Sequence, residues 1–145
     1  MKTGHVGLNV KNLETSISFY TDVFGLEVIS KSLEDGKKFA FLGHNGDITI
    51  TLWEQSQNEF SKNQSGLHHL AFETDSLDSV KQLESKLIEM GTKMIYRGVT
   101  LHEEGAGSGG IFFLDPDGIR LEIYTASVEH SDHSSNSEGP ACGFF

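Results

Sequence analysis

The sequence is poor in cysteine and proline. Only one of its 145 residues is a cysteine, Cys142, and only two are prolines. A single cysteine cannot form an intrachain disulfide, and it cannot supply a cysteine cluster for a metal ion. Any bound metal ion must therefore be held by His, Asp or Glu side chains.

Positive charge and long apolar runs are also scarce. The chain has 11 Lys and Arg against 21 Asp and Glu, which gives a formal net charge of -10. This charge repels a phosphate backbone, and no basic stripe is present, so a nucleic-acid partner is not expected. No window approaches the roughly 18 apolar residues of a membrane span, and the first residues do not resemble a signal peptide. We therefore expect a cytoplasmic protein with no membrane partner.

The sequence does contain an internal repeat. The segment from His5 to Val10 matches the segment from His69 to Thr74, each being a His followed by alternating small or polar and apolar residues. Both segments predict a half-buried strand. Each is followed by an amphipathic helix, over about residues 13–24 and about residues 77–90, and a glycine follows each predicted helix.

Three strand-like runs follow each predicted helix. In each half a turn joins the last two runs, and the Asp-Pro-Asp-Gly turn at residues 115–118 has the stronger turn chemistry. Each half thus predicts strand, helix and three strands, and neither half can cover its own sheet face. We predict an α+β fold in which two tandem modules form a curved mixed sheet around a metal cleft, with the helices outside.

The predicted domain organisation follows from this repeat. A chain of this length is within the usual range for one domain. We predict a single domain over residues 1–125, made of two repeats at about 4–55 and 67–125. Residues 126–145 are rich in serine, and we expect them to form a flexible tail.

Strand phase predicts which side chains face the cleft, because alternate residues point to opposite sides of a strand. In four predicted strands the apolar row faces a helix. The inward residues that bear on chemistry are His5, Thr51, His69, Glu73, Glu122 and Tyr124. His68 is the rival of His69 as a metal ligand, but its phase places it with the apolar row, so we reject it.

His5, His69 and Glu122 together predict a site for one divalent metal ion. Each residue alone would more often be an ordinary surface residue, but the two histidines occupy equivalent positions of the repeat. Two imidazoles and one carboxylate leave coordination positions open for a substrate or oxygen. His102 is kept as a candidate that orients a metal ligand or transfers protons, whereas the remaining histidines lie in turns or in the tail.

These residues resemble the vicinal oxygen chelate superfamily, which includes glyoxalase I, extradiol dioxygenases, and fosfomycin and bleomycin resistance proteins. The resemblance spans about residues 4–125. It rests on the strand that begins at His5, on Ser16–Tyr20 with Val23–Leu26, on Gly66–Phe72 and on Phe113–Tyr124. It implies paired modules, a homodimer, and a divalent ion that chelates vicinal oxygens of a small-molecule substrate.

The resemblance leaves the reaction open. A glyoxalase I is expected to have a fourth carboxylate ligand where this chain has Thr51, and Glu54 is out of phase unless a bulge re-aims it. An extradiol dioxygenase is expected to have a Tyr ten residues before Glu122, where this chain has Phe112. The fosfomycin proteins are expected to have a phosphonate-binding cluster of Lys, Ser and Arg after the second module, and this chain lacks it.

We predict a metal-dependent enzyme most like an extradiol-type dioxygenase, with Fe(II) or Mn(II) favoured and Zn(II), Ni(II) or Co(II) as alternatives. With Fe(II), His102 would carry a proton while Trp53, Phe112 and Tyr124 form apolar walls. With the other ions, Glu73 is the inward carboxylate available as a base. Tyr124 is a third candidate catalytic residue beside His102 and Glu73. The alternatives are a glyoxalase-like lyase or isomerase, a thiol transferase, and a metal-free protein that sequesters an antibiotic.

Overall fold

The computed structural model describes residues 1–101 and 108–126. These residues belong to two compact units. Unit 1 comprises residues 1–64 and 115–119, and unit 2 comprises the described residues of 65–114 and those from Arg120 onward. The described strands hydrogen-bond as two four-stranded mixed sheets, one in each unit, and each unit has one helix. The predicted α+β fold, built from two strand-helix-three-strand modules, is confirmed.

Unit 1 contains the first module. Its elements are β1 (Val6–Val10), α1 (Leu13–Phe24), β2 (Glu27–Ser32), β3 (Phe39–His44) and β4 (Asp47–Glu54). The strand order is β1-β4-β3-β2, in which β1 and β4 are parallel and the other pairs are antiparallel. A parallel pair needs a crossover connection, and here the connection contains α1 and the β2–β3 hairpin.

Local signals define both ends of α1. The Asn12 side chain accepts a hydrogen bond from the backbone N–H of Thr15, and Gly25 ends the helix in the left-handed conformation with φ of 64°. The apolar face of α1 packs against β3 and β4. Its buried side chains include Leu13, Phe19, Tyr20 and Val23. The predicted helix over residues 13–24 is therefore confirmed at both ends.

Unit 2 contains the second module. Its elements are β5 (Leu70–Glu73), α2 (Leu77–Glu89), β6 (Thr100–Leu101), β7 (Gly109–Leu114) and β8 (Arg120–Thr125). The strand order is β5-β8-β7-β6, with β5 and β8 parallel. Ser76 caps α2 by accepting from the backbone N–H of Ser79. The helix ends one residue earlier than predicted, because Met90 is the C-cap before the left-handed Gly91.

The Asp-Pro-Asp-Gly turn joins β7 to β8 but belongs to unit 1. Asp115 accepts hydrogen bonds from the Tyr20 hydroxyl at 2.9 Å and from the backbone N–H groups of Asp117 and Ile119. Both carboxylate oxygens of Asp117 lie 3.2 Å from the backbone nitrogen of Lys11. The Asp115 carboxylate therefore binds this turn to the middle of α1, and the Asp117 carboxylate binds it to the segment just before α1. Turn chemistry alone does not predict this function.

Two predictions concern residues outside the described ranges. The tail predicted for residues 126–145 is described only at Ala126, and His102 lies within the undescribed residues 102–107. In the part of the chain that is described, no helix is both long and apolar enough to cross a membrane.

Candidate metal centre

In unit 2 the structure places His69 beside Glu122. His69 directly precedes β5, and Glu122 lies in β8, paired in register with Ala71 of β5 and Phe112 of β7. The His69 Nε2 and Glu122 Oε2 atoms are 3.4 Å apart. Glu122 is only 2% exposed. Two of the three predicted ligands thus form a pair whose carboxylate is removed from solvent.

A glycine leaves room for the Glu122 carboxylate. Gly110 in β7 pairs in register with Tyr124 of β8. A Cβ atom at Gly110 would lie 3.3 Å from Glu122 Oε1 and 3.0 Å from the Ile123 carbonyl oxygen. Such contacts are closer than side chains usually make, so the backbone of β7 approaches Glu122 because residue 110 has no side chain.

Burial controls the charge of both groups. It raises the pKa of Glu122, because an ionised carboxylate loses its hydration there. Burial also lowers the pKa of His69, and electrostatic interactions with its neighbours His68 and Arg120 lower it further. The neutral imidazole is the form that binds a metal ion, and a bound cation would favour the ionised form of Glu122.

The chemistry and spacing of this pair fit a divalent ion. Imidazole nitrogen and carboxylate oxygen are ligands of Fe(II), Mn(II) and Zn(II). Two such atoms, each about 2.1 Å from one ion, lie about 3 to 3.5 Å apart. The described residues contain no group of three or more His, Cys, Asp or Glu side chains placed to hold an ion. The three-ligand set therefore stays a prediction.

The third predicted ligand, His5, lies in unit 1. It is exposed and directly precedes β1, as His69 directly precedes β5. The strand registers extend this equivalence, because Gly7 pairs with Thr51 and Ala71 pairs with Glu122. Thr51 accepts a hydrogen bond from the indole Nε1 of Trp53 at 3.0 Å. A hydroxyl therefore occupies in unit 1 the position that the carboxylate occupies in unit 2.

The structure gives Glu54 a role in the fold of unit 1. Its Oε2 accepts a hydrogen bond from the backbone N–H of Leu13 at 2.8 Å, and its Oε1 accepts from Lys38 Nζ at 2.8 Å. These two bonds, that of Lys38 first, lower the pKa of Glu54. One oxygen of the carboxylate is therefore engaged at the start of α1 and the other by Lys38, which argues against Glu54 as a fourth metal ligand.

Comparison with known proteins identifies the family. A model of the glyoxalase/bleomycin resistance protein/dioxygenase superfamily matches residues 2–123. The chain belongs to this superfamily. The resemblance found in the motifs of the sequence is thus confirmed.

Relatives within the glyoxalase/bleomycin resistance protein/dioxygenase superfamily are named as enzymes. A trivalent organoarsenical cleaving enzyme from Bacillus sp. strain MD1 is 31% identical over 98% of this chain and 83% of that protein. The metallothiol transferase FosB of Bacillus licheniformis is 31% identical over 97% of this chain and 85% of that protein. A crystal structure of a superfamily domain from Frankia sp. EAN1pec has a TM-score of 0.75 at 25% identity, covering 90% of this chain and 95% of that one.

Four other residues that the sequence predicts for the site lie on strands of the fold. Glu73 of β5 is exposed and pairs in register with the half-buried Tyr124 of β8. Phe112 is 1% exposed and makes an edge-to-face contact with Tyr96. Trp53 lies in unit 1 beside Phe39 and Phe41. Catalytic roles for Glu73 and Tyr124 stay predictions, and His102 lies outside the described residues.

Strand phase does not predict where the His68 side chain lies. Alternation predicts that His68 points to the apolar face, which is why we reject it as a metal ligand. The structure places it beside His69, with the two Nδ1 atoms 2.8 Å apart, and its Nε2 lies 3.4 Å from Arg120. Strand β5 begins only at Leu70, so alternation does not apply to residue 68. The adjacent His-His pair was the available signal.

Proposed function

We propose that this chain is a divalent-metal-dependent enzyme in which His69 and Glu122 bind the ion, with His5 as the third ligand. The observation that carries the proposal is the 3.4 Å spacing between His69 Nε2 and the oxygen of a carboxylate that is 2% exposed. Burying a carboxylate is costly unless a positive charge compensates it. The name of the metallothiol transferase relative supports a metal.

The proposed substrate is a small molecule that chelates the ion through two adjacent oxygen atoms. Two histidines and one carboxylate leave coordination positions open for such a ligand. A divalent ion held by these ligands would supply Lewis-acid or redox chemistry. Around it, Phe112 and Tyr124 would exclude water, Arg120 would supply positive charge on the strand that carries Glu122, and Glu73 would be the candidate base.

The first candidate reaction is extradiol-type ring opening of a catechol. A two-histidine, one-carboxylate set with open positions is the arrangement of non-haem Fe(II) oxygenases. Phe112 stands opposite Glu122 in the sheet and has no hydroxyl to hydrogen-bond a catecholate. For this reaction the predicted proton carrier is His102. We therefore expect any dioxygenase activity to depend on His102.

The second candidate reaction is thiol transfer. It is favoured by the similarity to the metallothiol transferase FosB, which extends over 97% of this chain. The organoarsenical cleaving relative suggests a third activity, but soft centres such as trivalent arsenic prefer thiolate ligands. This chain has the single cysteine Cys142, so it cannot supply a pair of thiolates.

Metal analysis tests the proposed class. The full chain, purified without a chelating tag, is expected to contain or bind one equivalent of Fe(II), Mn(II) or Zn(II). Calorimetric titration of the apo protein with each ion measures the affinity. Protein that binds none of these ions would support the metal-free sequestering protein and would overturn the enzyme proposal.

Single substitutions test the ligands. Each of His5→Gln, His69→Gln and Glu122→Gln is expected to weaken metal binding by more than about 100-fold, since even an outer-shell partner contributes about 10- to 100-fold. The matched control is His44→Gln, because His44 is exposed at the end of β3. Unchanged affinity in His5→Gln would remove His5 from the set and leave the other two ligands in place.

Ring opening and thiol transfer can be distinguished by the second substrate that each reaction consumes, oxygen or a thiol. Fe(II)-loaded protein mixed with catechol and oxygen is expected to form the yellow ring-opened product. Mn(II)-loaded protein mixed with a thiol and a phosphonate epoxide would instead consume the thiol without oxygen. Colour formation that survives His102→Ala would contradict the role given to His102.

The proposed assembly is a homodimer, as the resemblance implies. Sedimentation equilibrium of the full chain measures its mass in solution. A mass twice that of the 15.9 kDa chain is expected, and a monomer would contradict the assembly but not the metal site.

A further inference from the structure

Three side chains of unit 2 form a hydrogen-bonded chain that ends at the proposed metal ligand. The Arg120 NH1 atom lies 3.4 Å from His68 Nε2, and His68 Nδ1 lies 2.8 Å from His69 Nδ1. The remaining ring nitrogen of His69, Nε2, faces Glu122 Oε2 at 3.4 Å. We call the three residues Arg120, His68 and His69 the arginine-histidine chain.

The chemistry of arginine fixes the direction of these hydrogen bonds. A guanidinium group can only donate, so His68 Nε2 must accept and carries no proton. A neutral His68 then has its proton on Nδ1 and donates it to His69 Nδ1. Because His69 Nδ1 accepts, the proton of a neutral His69 is on Nε2. The arginine-histidine chain therefore places a proton on the nitrogen that faces Glu122.

This direction conflicts with metal binding at the same nitrogen. A histidine that binds an ion through Nε2 keeps its proton on Nδ1 and donates it to an outer-shell acceptor. His68 Nδ1 would have to accept that bond, and a neutral His68 would then carry its proton on Nε2. That N–H would face the N–H of Arg120, where two donors repel each other.

We propose that Arg120 and His68 are positioning residues that hold His69 in the tautomer that does not bind metal, and that ligation of His69 reverses the His68–His69 hydrogen bond and releases Arg120. The inference rests on the proposed function. One proton leaves His69 Nε2 for solvent, one passes from His68 Nδ1 to His69 Nδ1, and His68 Nε2 takes one from solvent. The number of bound protons is unchanged.

Exposure and charge make this reversal feasible. His68 is exposed and Arg120 is half-buried, so the guanidinium can move into solvent without leaving a buried charge behind. Loading the site therefore requires movement of protons and of the Arg120 side chain, and no rearrangement of the strands.

NMR of the histidine ring nitrogens in the full chain tests the inference, because each tautomer has a distinct pattern of shifts. Spectra at about pH 8 keep histidines with ordinary pKa values of about 6.5 neutral. His68→Gln and His69→Gln assign the two rings. In the apo protein, His68 is expected to carry its proton on Nδ1 and His69 on Nε2. After addition of Zn(II), which is diamagnetic, both assignments are expected to reverse.

A substitution tests the part played by Arg120. Arg120→Gln removes the charged donor that opposes reversal, so the apo tautomers are expected to shift and Zn(II) to bind about fivefold more tightly, the effect of one hydrogen bond. The matched control is Arg97→Gln, which removes the other arginine of the chain from an exposed position and is expected to leave both readouts unchanged.

The outcomes separate the inference from the proposed function. If Zn(II) binds to His69 but the two tautomers keep their apo pattern, the inference is wrong and the metal site stands. If the apo protein already has the His69 proton on Nδ1, the inference is wrong whatever the affinity. If Zn(II) leaves the His69 signals unchanged, the proposed metal site fails, and the inference fails with it.

Discussion

Among single residues, Asp115 has a pKa that is set by opposing effects. It is 5% exposed and accepts hydrogen bonds from the Tyr20 hydroxyl and from the backbone N–H groups of Asp117 and Ile119. Those bonds favour the ionised carboxylate, but burial outweighs them and raises the pKa of Asp115 to about 6. For a raised carboxyl pKa, the stabilising contribution is present below the ordinary pKa and is lost as the pH rises through about 6.

Asp115→Asn tests this pH dependence. The unfolding free energy of the wild type, measured with urea, is expected to fall between about pH 4 and pH 7 relative to that of the variant, by at most about 3 kcal/mol. The amide of the variant cannot ionise. The variant therefore lacks the pH-dependent contribution of residue 115 to the unfolding free energy, whatever its absolute stability. Parallel curves for the two proteins would show that Asp115 titrates near its ordinary value.

Gly110→Ala tests the close approach of β7 to Glu122. The added methyl group would lie 3.3 Å from Glu122 Oε1 and 3.0 Å from the Ile123 carbonyl oxygen. We expect a loss of about 1 to 3 kcal/mol in unfolding free energy from overpacking. We also expect weaker metal binding, because the carboxylate must move.

The control for Gly110→Ala is Gly4→Ala, whose new methyl group meets nothing within 4 Å. Unfolding free energies of both variants and a metal titration of Gly110→Ala supply the comparison. Full metal affinity in Gly110→Ala would show that Glu122 does not need its observed position to bind an ion.

The residues of the site were predictable to different degrees. His69 and Glu122 could be selected from the sequence because the repeat and the strand alternation both pointed to them. His68 could not, because its position depends on where β5 begins, and strand starts are not defined by alternation alone. The space at Gly110 depends on the pairing of β7 with β8, which a single sequence does not specify.

At the scale of the elements, α1 depends on a residue distant in sequence. Glu54, at the end of β4, accepts the backbone N–H of Leu13, one of the donors that a helix start leaves unsatisfied. A negative charge at this end also complements the helix dipole. The strand thus stabilises the helix that packs on it.

Glu54→Ala tests this contact. We expect a loss of about 1 kcal/mol in unfolding free energy, the usual effect of removing a helix cap. The control is Glu59→Ala, because Glu59 is an exposed residue with a surface ion pair to Lys11 at 3.4 Å, and such pairs contribute little. Equal losses in the two variants would show that the bond to Leu13 does not matter.

The helices show what sequence can and cannot define at this scale. Asn12 and Gly25 lie next to the residues of α1, and Ser76 lies next to α2, so both helices were predictable to within one residue. The contact of Glu54 with Leu13 joins residues 41 apart in the sequence. It depends on the parallel pairing of β1 with β4, which the alternation of apolar residues does not reveal.

For the whole molecule, the repeat accounts for the two units but not for their boundaries. The residues 115–119 between β7 and β8 belong to unit 1, because Tyr20 and Lys11 hydrogen-bond to Asp115 and Asp117. The sequence pattern predicts these residues to be a turn of the second repeat. The chain therefore passes from one unit to the other three times, after residues 64, 114 and 119.

Metal binding should stabilise the whole fold. An ion that binds the folded chain and not the unfolded one, at 100 times its dissociation constant, adds about 2.7 kcal/mol to the unfolding free energy. For a chain of this length we expect the Tm to rise by about 10 °C. Differential scanning calorimetry of the apo protein, with and without Mn(II), measures the shift.

The same measurement on variants shows whether the stabilisation comes from the proposed site. His69→Gln and Glu122→Gln should lose the increase in Tm, whereas His44→Gln should keep it, because His44 is exposed at the end of β3. An increase that persists in Glu122→Gln would mean that Mn(II) stabilises the fold at other carboxylates, of which this acidic chain has many. An increase that depends on Glu122 would link the stability of the fold to the buried carboxylate of β8.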